Sequence, residues 1–244
     1  MPATLDYILH LADNALILGQ RNAEWCGHGP VLEQDIAISN ISLDLIGQAR
    51  SFYQYAAEIK GGDATEDTLA YLRHEREFRN ILLVEQPKGD WAYTTLRQFF
   101  FSTFQLLLFQ RLITHPDERI AAIAEKSIKE VNYHVRWSSE WVVRLGDGTE
   151  ESRARLQQAV DDSWPFVNEL FQVENFEIES AVQVNELQKV WTEKIQACFT
   201  EAGMEIPETA GARSGGKKGI HSEHLGYILA EMQYLQRSYP GCEW

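Results

Sequence analysis

An all-α fold is what this sequence predicts: a core bundle of four long helices over about residues 3–145, ferritin-like in its spacing, then additional C-terminal helices over 146–244, in a single domain 1–244. The first observation is the stretch 116–145, where Ile120, Ile123, Ala124, Ile128, Val131, Val135, Val142 and Leu145 recur at helical spacing for about eight turns. The second is that three more long segments carry the same i, i+3, i+4, i+7 stripe, each closed by a cluster of glycine, proline or charge. The third is the lack of a strong period-two alternation, an internal repeat or a low-complexity tract, although a short exposed hairpin near 173–183 escapes this kind of reading.

The opening helix, 3–25, turns Leu5, Ile8, Ala12, Ala15, Leu16 and Gly19 to one side and stops at Gly27, Gly29 and Pro30. A second helix runs from about Val31 to Ile59 with Ile38, Ile41, Leu45, Gln48, Phe52, Ala56 and Ile59 inward, and KGGDATED at 60–67 ends it. A shorter helix fits 64–82, dense in charge at RHEREFR, before the break EQPKGD at 85–90. His74 and Glu75 are neighbours there and point apart on a helix, which argues against a shared metal. The segment from Trp91 to Thr114 buries Leu96, Phe99, Ser102, Leu106 and Phe109, while Phe100, Phe101 and Phe104 demand cover on more than one side. The stretch 116–145 is entered through Pro116, with Asp117 and Glu118 placed to suit the helix dipole, and it is left through GDG at 146–148. His134 and Ser138 lie on its inward stripe. Two more helices follow at 149–172 and 184–202, separated by the acidic loop VENFEIES, and a last helix spans roughly 222–238. Between them TAGARSGGKKGIHSEH is a glycine-rich basic loop in an acidic protein.

A hydrophobic content of 44% is ample for a core of this size, and a formal charge of -14 argues against nonspecific binding to nucleic acid or to an anionic membrane. No uninterrupted apolar run approaches the roughly 20 residues of a membrane span. Cys26, Cys198 and Cys242 are odd in number and lack a CxxC pair, so neither a disulfide framework nor a zinc knuckle is suggested, and a reducing cytoplasm fits. The N-terminus has acidic residues in its apolar part and no basic n-region, unlike a signal peptide.

Long inward helices invite a test for metal. A ferritin-like di-iron centre takes a carboxylate from each of two helices and Glu-x-x-His from each of the other two, because glutamate bridges hard iron ions and His at i+3 stays on the same face. Three residues before His10, His28, His74, His115, His134, His221 and His224 stand Tyr7, Trp25, Tyr71, Leu112, Val131, Lys218 and His221, none of them acidic. Both halves of the signature are therefore absent. Glu130 with His134 is an i, i+4 pair, but the stripe turns His134 inward and Glu130 to a flank, the pattern of a hydrogen-bonded core histidine. His221 and His224, with Glu223 between them, read as a capping or interface cluster in preference to a metal site. The glycine-rich loop lacks the Walker pattern, and no Ser-His-Asp arrangement can be inferred.

Several long segments in fixed order carry a resemblance that covers nearly the whole chain: LADNALILGQRNAEWCGHGPVLEQDIAISNISLDLIGQAR, LLVEQPKGDWA, KEVNYH with RLGDGTEES after it, and GGKKGIHSEHLGYILAEMQYLQR. They are similar to the PaaC family, a structural component of ring-1,2-phenylacetyl-CoA epoxidase, the multicomponent bacterial monooxygenase of phenylacetate catabolism. The resemblance implies a ferritin-like, noncatalytic structural subunit with no cofactor of its own, paired with a PaaA-like subunit that holds the di-iron centre, and with other subunits of the epoxidase completing the assembly. Laid over the catalytic partner's motifs, the first carboxylate falls near Ala15, or Asn14 one position away, and the second helix's pair on Leu45 and Gln48. The third carboxylate falls near Ser102 and the last pair on Val131 and His134, so only His134 keeps a ligand type.

The periodicity puts Ala15, Leu45, Gln48, Ser102, Val131 and His134 inward independently of the resemblance. Removing a buried carboxylate cluster that has no metal avoids a desolvation cost, and Gln48, Ser102 and His134 are expected to hydrogen-bond one another or a trapped water. Asp44 supplies His134 instead if the helix is rotated. A competing class, a metal-dependent oxidase, needs non-standard ligands such as Glu130, His134 and Asp44. A third class is a ferritin-like binding module for an unrelated partner. Arg213, Lys217 and Lys218 in RSGGKKG are candidates for the phosphates of phenylacetyl-CoA, because glycines allow close approach; a solvated loop or a salt-bridging interface is the rival reading.

Overall fold

The computed structural model describes residues 3–207 and 211–242. Its helices are α1 (Leu5–Ala23), α2 (Leu32–Lys60), α3 (Glu66–Tyr71), α4 (Leu82–Glu85), α5 (Trp91–Leu112), α6 (Glu118–Gly146), α7 (Glu150–Ser163), α8 (Asn175–Glu179), α9 (Gln188–Ala202), α10 (Glu223–Met232) and α11 (Tyr234–Ser238), with 3-10 turns between several of them. No strand occurs among the described residues, and the all-α expectation holds. The chain divides into two units, Pro2–Pro87 with Ser214–Trp244, and Lys88–Arg213.

In the first unit α1 and α2 form a long antiparallel pair. Thr4 caps α1 by accepting the Tyr7 amide, and Gly19 brings the helices together, since a Cβ there would press on Ile46 and the Ser42 carbonyl at 3.2 and 3.3 Å. The apolar face expected for α1 proves wider than one stripe, because every residue from Tyr7 to Gly19 is buried. In α2 the stripe from Ile38 to Ala56 is buried as predicted, whereas Ile59, in the last turn, is 42% exposed.

The single helix expected over 64–82 is not there. α3 stops at Tyr71, a 3-10 turn covers Glu75–Glu77, and the backbone is extended at His74, Phe78 and Ile81. Extended backbone frees amides that a helix would consume: Arg79 N–H donates to Asp13 at 2.7 Å and Ile81 N–H to Asn14 at 2.9 Å, both on α1. The last predicted helix, 222–238, also breaks, at Gln233, whose side-chain amide donates to the carbonyls of Ala70 and Arg73 at 3.3 and 3.1 Å.

In the second unit α5 and α6 are antiparallel, each capped by an aspartate, Asp90 and Asp117, that accepts two amides of the first turn. α5 is buried on all sides, as its phenylalanines require. Trp191 of α9 donates its indole N–H to the Phe100 carbonyl at 3.0 Å and packs with Phe100, Trp164 and Phe171. The helix predicted over 149–172 is α7 followed by a 3-10 stretch, Trp164–Phe171, because Pro165 has no amide to continue the α-helix. Around 173–183, where the sequence also admits a hairpin, stands the short α8, opened by Glu174 and Glu177 in a capping box.

Candidate functional site

All six positions that the sequence marks as the former metal site are buried, in two groups. α1 and α2 hold Ala15, Leu45 and Gln48 in one unit; α5 and α6 hold Ser102, Val131 and His134 in the other. The Ser102 hydroxyl donates to the Gln98 carbonyl at 2.6 Å, and the Ser138 hydroxyl to the His134 carbonyl at 2.6 Å, with the two oxygens 3.5 Å apart. A hydroxyl has one proton, so Ser102 gives its own to its helix and not to Gln48 or His134 as expected. Ala15, Leu45 and Val131 carry no donor atom at all, so the residues present do not fit a two-iron centre. Among the described residues no group of three or more His, Cys, Asp or Glu could hold a metal ion. Asn14 is engaged elsewhere, accepting the Ile81 amide and lying 3.2 Å from His10 Nε2, and Asp44 and Glu130 sit half-buried on helix flanks.

What the sequence did not announce is a buried polar cluster in the first unit. Asp13, fully buried, accepts from Arg73 through both oxygens, from Tyr53 Oη at 2.5 Å and from Arg79 N–H. Arg73 spends its remaining donors on the carbonyls of Leu69 and Glu77 and lies over the Phe78 ring at 4.1 Å. Burial and the neighbouring Asp13 push the Tyr53 hydroxyl well above its ordinary range, so it stays a donor. Beside it His10 Nδ1 donates to the Arg79 carbonyl at 2.7 Å. Burial, with the Lys217 charge nearby, lowers the pKa of His10 to about 3, which keeps this ring neutral.

The second buried carboxylate is Glu85. It accepts from Asn80 Nδ2 at 2.8 Å, His221 Nδ1 at 2.7 Å, Ser222 N–H at 2.7 Å and Ser222 Oγ at 2.8 Å. His221 Nε2 faces the Phe78 carbonyl at 3.1 Å, so both ring nitrogens point at acceptors, and the doubly protonated imidazolium satisfies both. Burial alone would lower the pKa of His221; the hydrogen bond and charge of Glu85 outweigh it and raise it. The capping reading of His221 is therefore the one the geometry follows, while His224 contributes its carbonyl to Arg21 at 3.4 Å.

The basic loop is built differently from the expectation. Lys217 is only 3% exposed, in the first unit, with its charge close to His10; Lys218 and Arg213 are exposed, and Arg213, in the second unit, lies over Phe166 at 5.6 Å. The glycines do allow close approach, but to this chain's own backbone: a Cβ on Gly216 would collide with the Asn80 carbonyl and one on Gly219 with that of Arg76. Thr209 and Ala210, at the start of that loop, lie outside the described residues.

Sequence comparison then places the chain. The family described as phenylacetic acid catabolic protein, PaaA_PaaC, matches residues 1–244. The chain belongs to this family. Within the family, it is 49% identical over 243 residues, covering 98% of each sequence, to the C-type subunit of the 1,2-phenylacetyl-CoA epoxidase of Escherichia coli (strain K12). Family membership agrees with the all-α architecture and its long antiparallel helix pairs. No helix among the described residues is long and apolar enough to cross a membrane.

Proposed function

We propose that this chain is the PaaC-type component of a phenylacetyl-CoA epoxidase in phenylacetate catabolism, a noncatalytic partner that binds and stabilises the related di-iron catalytic subunit. The observation that carries the reading is the replacement of ligands by Ala15, Leu45 and Val131, buried side chains without a donor atom, in a chain 49% identical to an epoxidase subunit of that type. The iron and the oxygen chemistry then belong to the PaaA-like partner, and this chain supplies surface and rigidity. Leu32, Ile36 and Leu43, 73%, 53% and 66% exposed, share the outer face of α2 and offer apolar area for such a contact.

Co-expression with the candidate catalytic subunit tests this directly. A stable complex is expected, with iron that stays with the catalytic chain on separation. Stoichiometric iron retained by this chain alone, lost on His134→Ala, would overturn the proposal in favour of an oxidase built from Glu130, His134 and Asp44.

A further inference from the structure

The C-terminal segment 214–238 lies along residues 70–85 and α1, and its anchors run its whole length. Gly216 and Gly219 press on the backbone at Asn80 and Arg76, His221 and Ser222 reach Glu85, and Gln233 and Arg237 donate to the Arg73 carbonyl at 3.1 and 3.0 Å. Arg21 of α1 reaches across to both sides, donating to the carbonyls of Glu85 at 2.9 Å and His224 at 3.4 Å. α10 and α11 have 10 and 5 residues, too short to hold helical structure in water by themselves, so their order depends on this seat. The outer side carries Ile220, Tyr227 and Tyr234, all more than 60% exposed, and makes no comparable bonds.

We propose that residues 214–238 form a strap that docks and releases as one piece, with the buried His221–Glu85 pair as a clasp that weakens as pH rises past neutrality. Both side chains of the pair are fully enclosed, so the charge on His221 is held by protein groups and not by water. Facing it from α1 is the charge of Asp13, which favours the imidazolium; His10, beside Lys217, is neutral, and Arg21 is committed to carbonyls. From residues 73–85 come Glu85 itself, Arg73 held by Asp13, Arg79 turned to its own turn's carbonyls and Glu75 close to Gly226. The strap contributes Lys217, Glu223 and His224. Between pH 6 and 9 the arginines, lysines and carboxylates keep their charges, so the clasp itself is the group that changes. Loss of the His221 proton removes one donor from Glu85 and leaves a carboxylate with a neutral ring beside it; release then uncovers Glu85 and the backbone of residues 76–82.

The test is hydrogen exchange on the full chain from pH 6 to 9, expressed as protection factors, beside a histidine NMR titration of His221. Protection of strap peptides over 216–232 is expected to fall about tenfold for each unit by which His221 titrates above 6.5, while peptides of α5 and α6 hold theirs. His221→Gln, which keeps a donor for Glu85 and cannot change charge, is expected to dock more weakly and without this pH slope. Constant strap protection while His221 titrates in the wild-type chain overturns the proposal, as does a wild-type slope in His221→Gln.

Discussion

Asp13 shows what one residue can carry. Its carboxylate is fully enclosed, and its compensation comes from Arg73, Tyr53 and the Arg79 amide. Asp13→Asn leaves the guanidinium buried without a counter-charge and is expected to cost about 3–5 kcal/mol in urea unfolding. Arg50→Ala, which breaks an ion pair whose arginine is 68% exposed, is expected to stay within about 1 kcal/mol. His10 and His221 pull stability in opposite directions. A folded pKa lowered from 6.5 to about 3 means that His10 stabilises above 6.5 and loses that contribution as pH falls. The stability of the wild-type chain is expected to drop by roughly 2–3 kcal/mol more than that of His10→Gln between pH 7 and 4.5. His221, with a raised pKa, stabilises below 6.5 and loses its contribution as pH climbs. At this scale the sequence is readable where a donor is missing, as at Val131 before His134, and silent where a partner is distant. Asp13 and Arg73 are 60 residues apart and Glu85 and His221 are 136 apart, separations at which no spacing rule speaks.

The long helices are legible because their own periodicity decides them: α1, α2, α5 and α6 each begin and end within about three residues of the expected bounds. Segments 64–82 and 222–238 read as single helices in the sequence and break in the structure because tertiary partners compete for their backbone groups. Amides of Arg79 and Ile81 go to α1, and the Gln233 side chain is drawn to carbonyls of residues 70 and 73. At 164–171 the cue is visible, since Pro165 forbids the α-helix that the apolar pattern suggests. The α6–α9 junction gives a test at this scale. A Cβ on Gly146 would overlap the Ala202 carbonyl, so Gly146→Val must push α9 away from α6. The expected cost is about 1–3 kcal/mol, read as a lower urea midpoint, and the Trp191 fluorescence is expected to shift as its packing on Phe100 loosens.

For the whole molecule the question is whether folding and metal are coupled. In a di-iron protein the native state holds the ions and the unfolded chain does not, so metal raises stability by RT ln(1 + [L]/Kd). Iron at a thousand times its dissociation constant would add about 4 kcal/mol. For a chain of this size that is a melting-temperature rise of roughly 8–16 °C. Ala15, Leu45 and Val131 offer iron nothing to bind, and Gln48, Ser102 and His134 supply one strong donor between them. The isolated chain is therefore expected to melt at the same temperature, within about 1 °C, with and without anaerobic ferrous iron. Adding the catalytic subunit, by contrast, is expected to raise its melting temperature progressively with partner concentration, because the partner binds only the folded form. Stabilisation by iron alone would mean that the chain holds the metal itself; stabilisation by neither would leave the chain without the partner that its family membership and exposed α2 face imply.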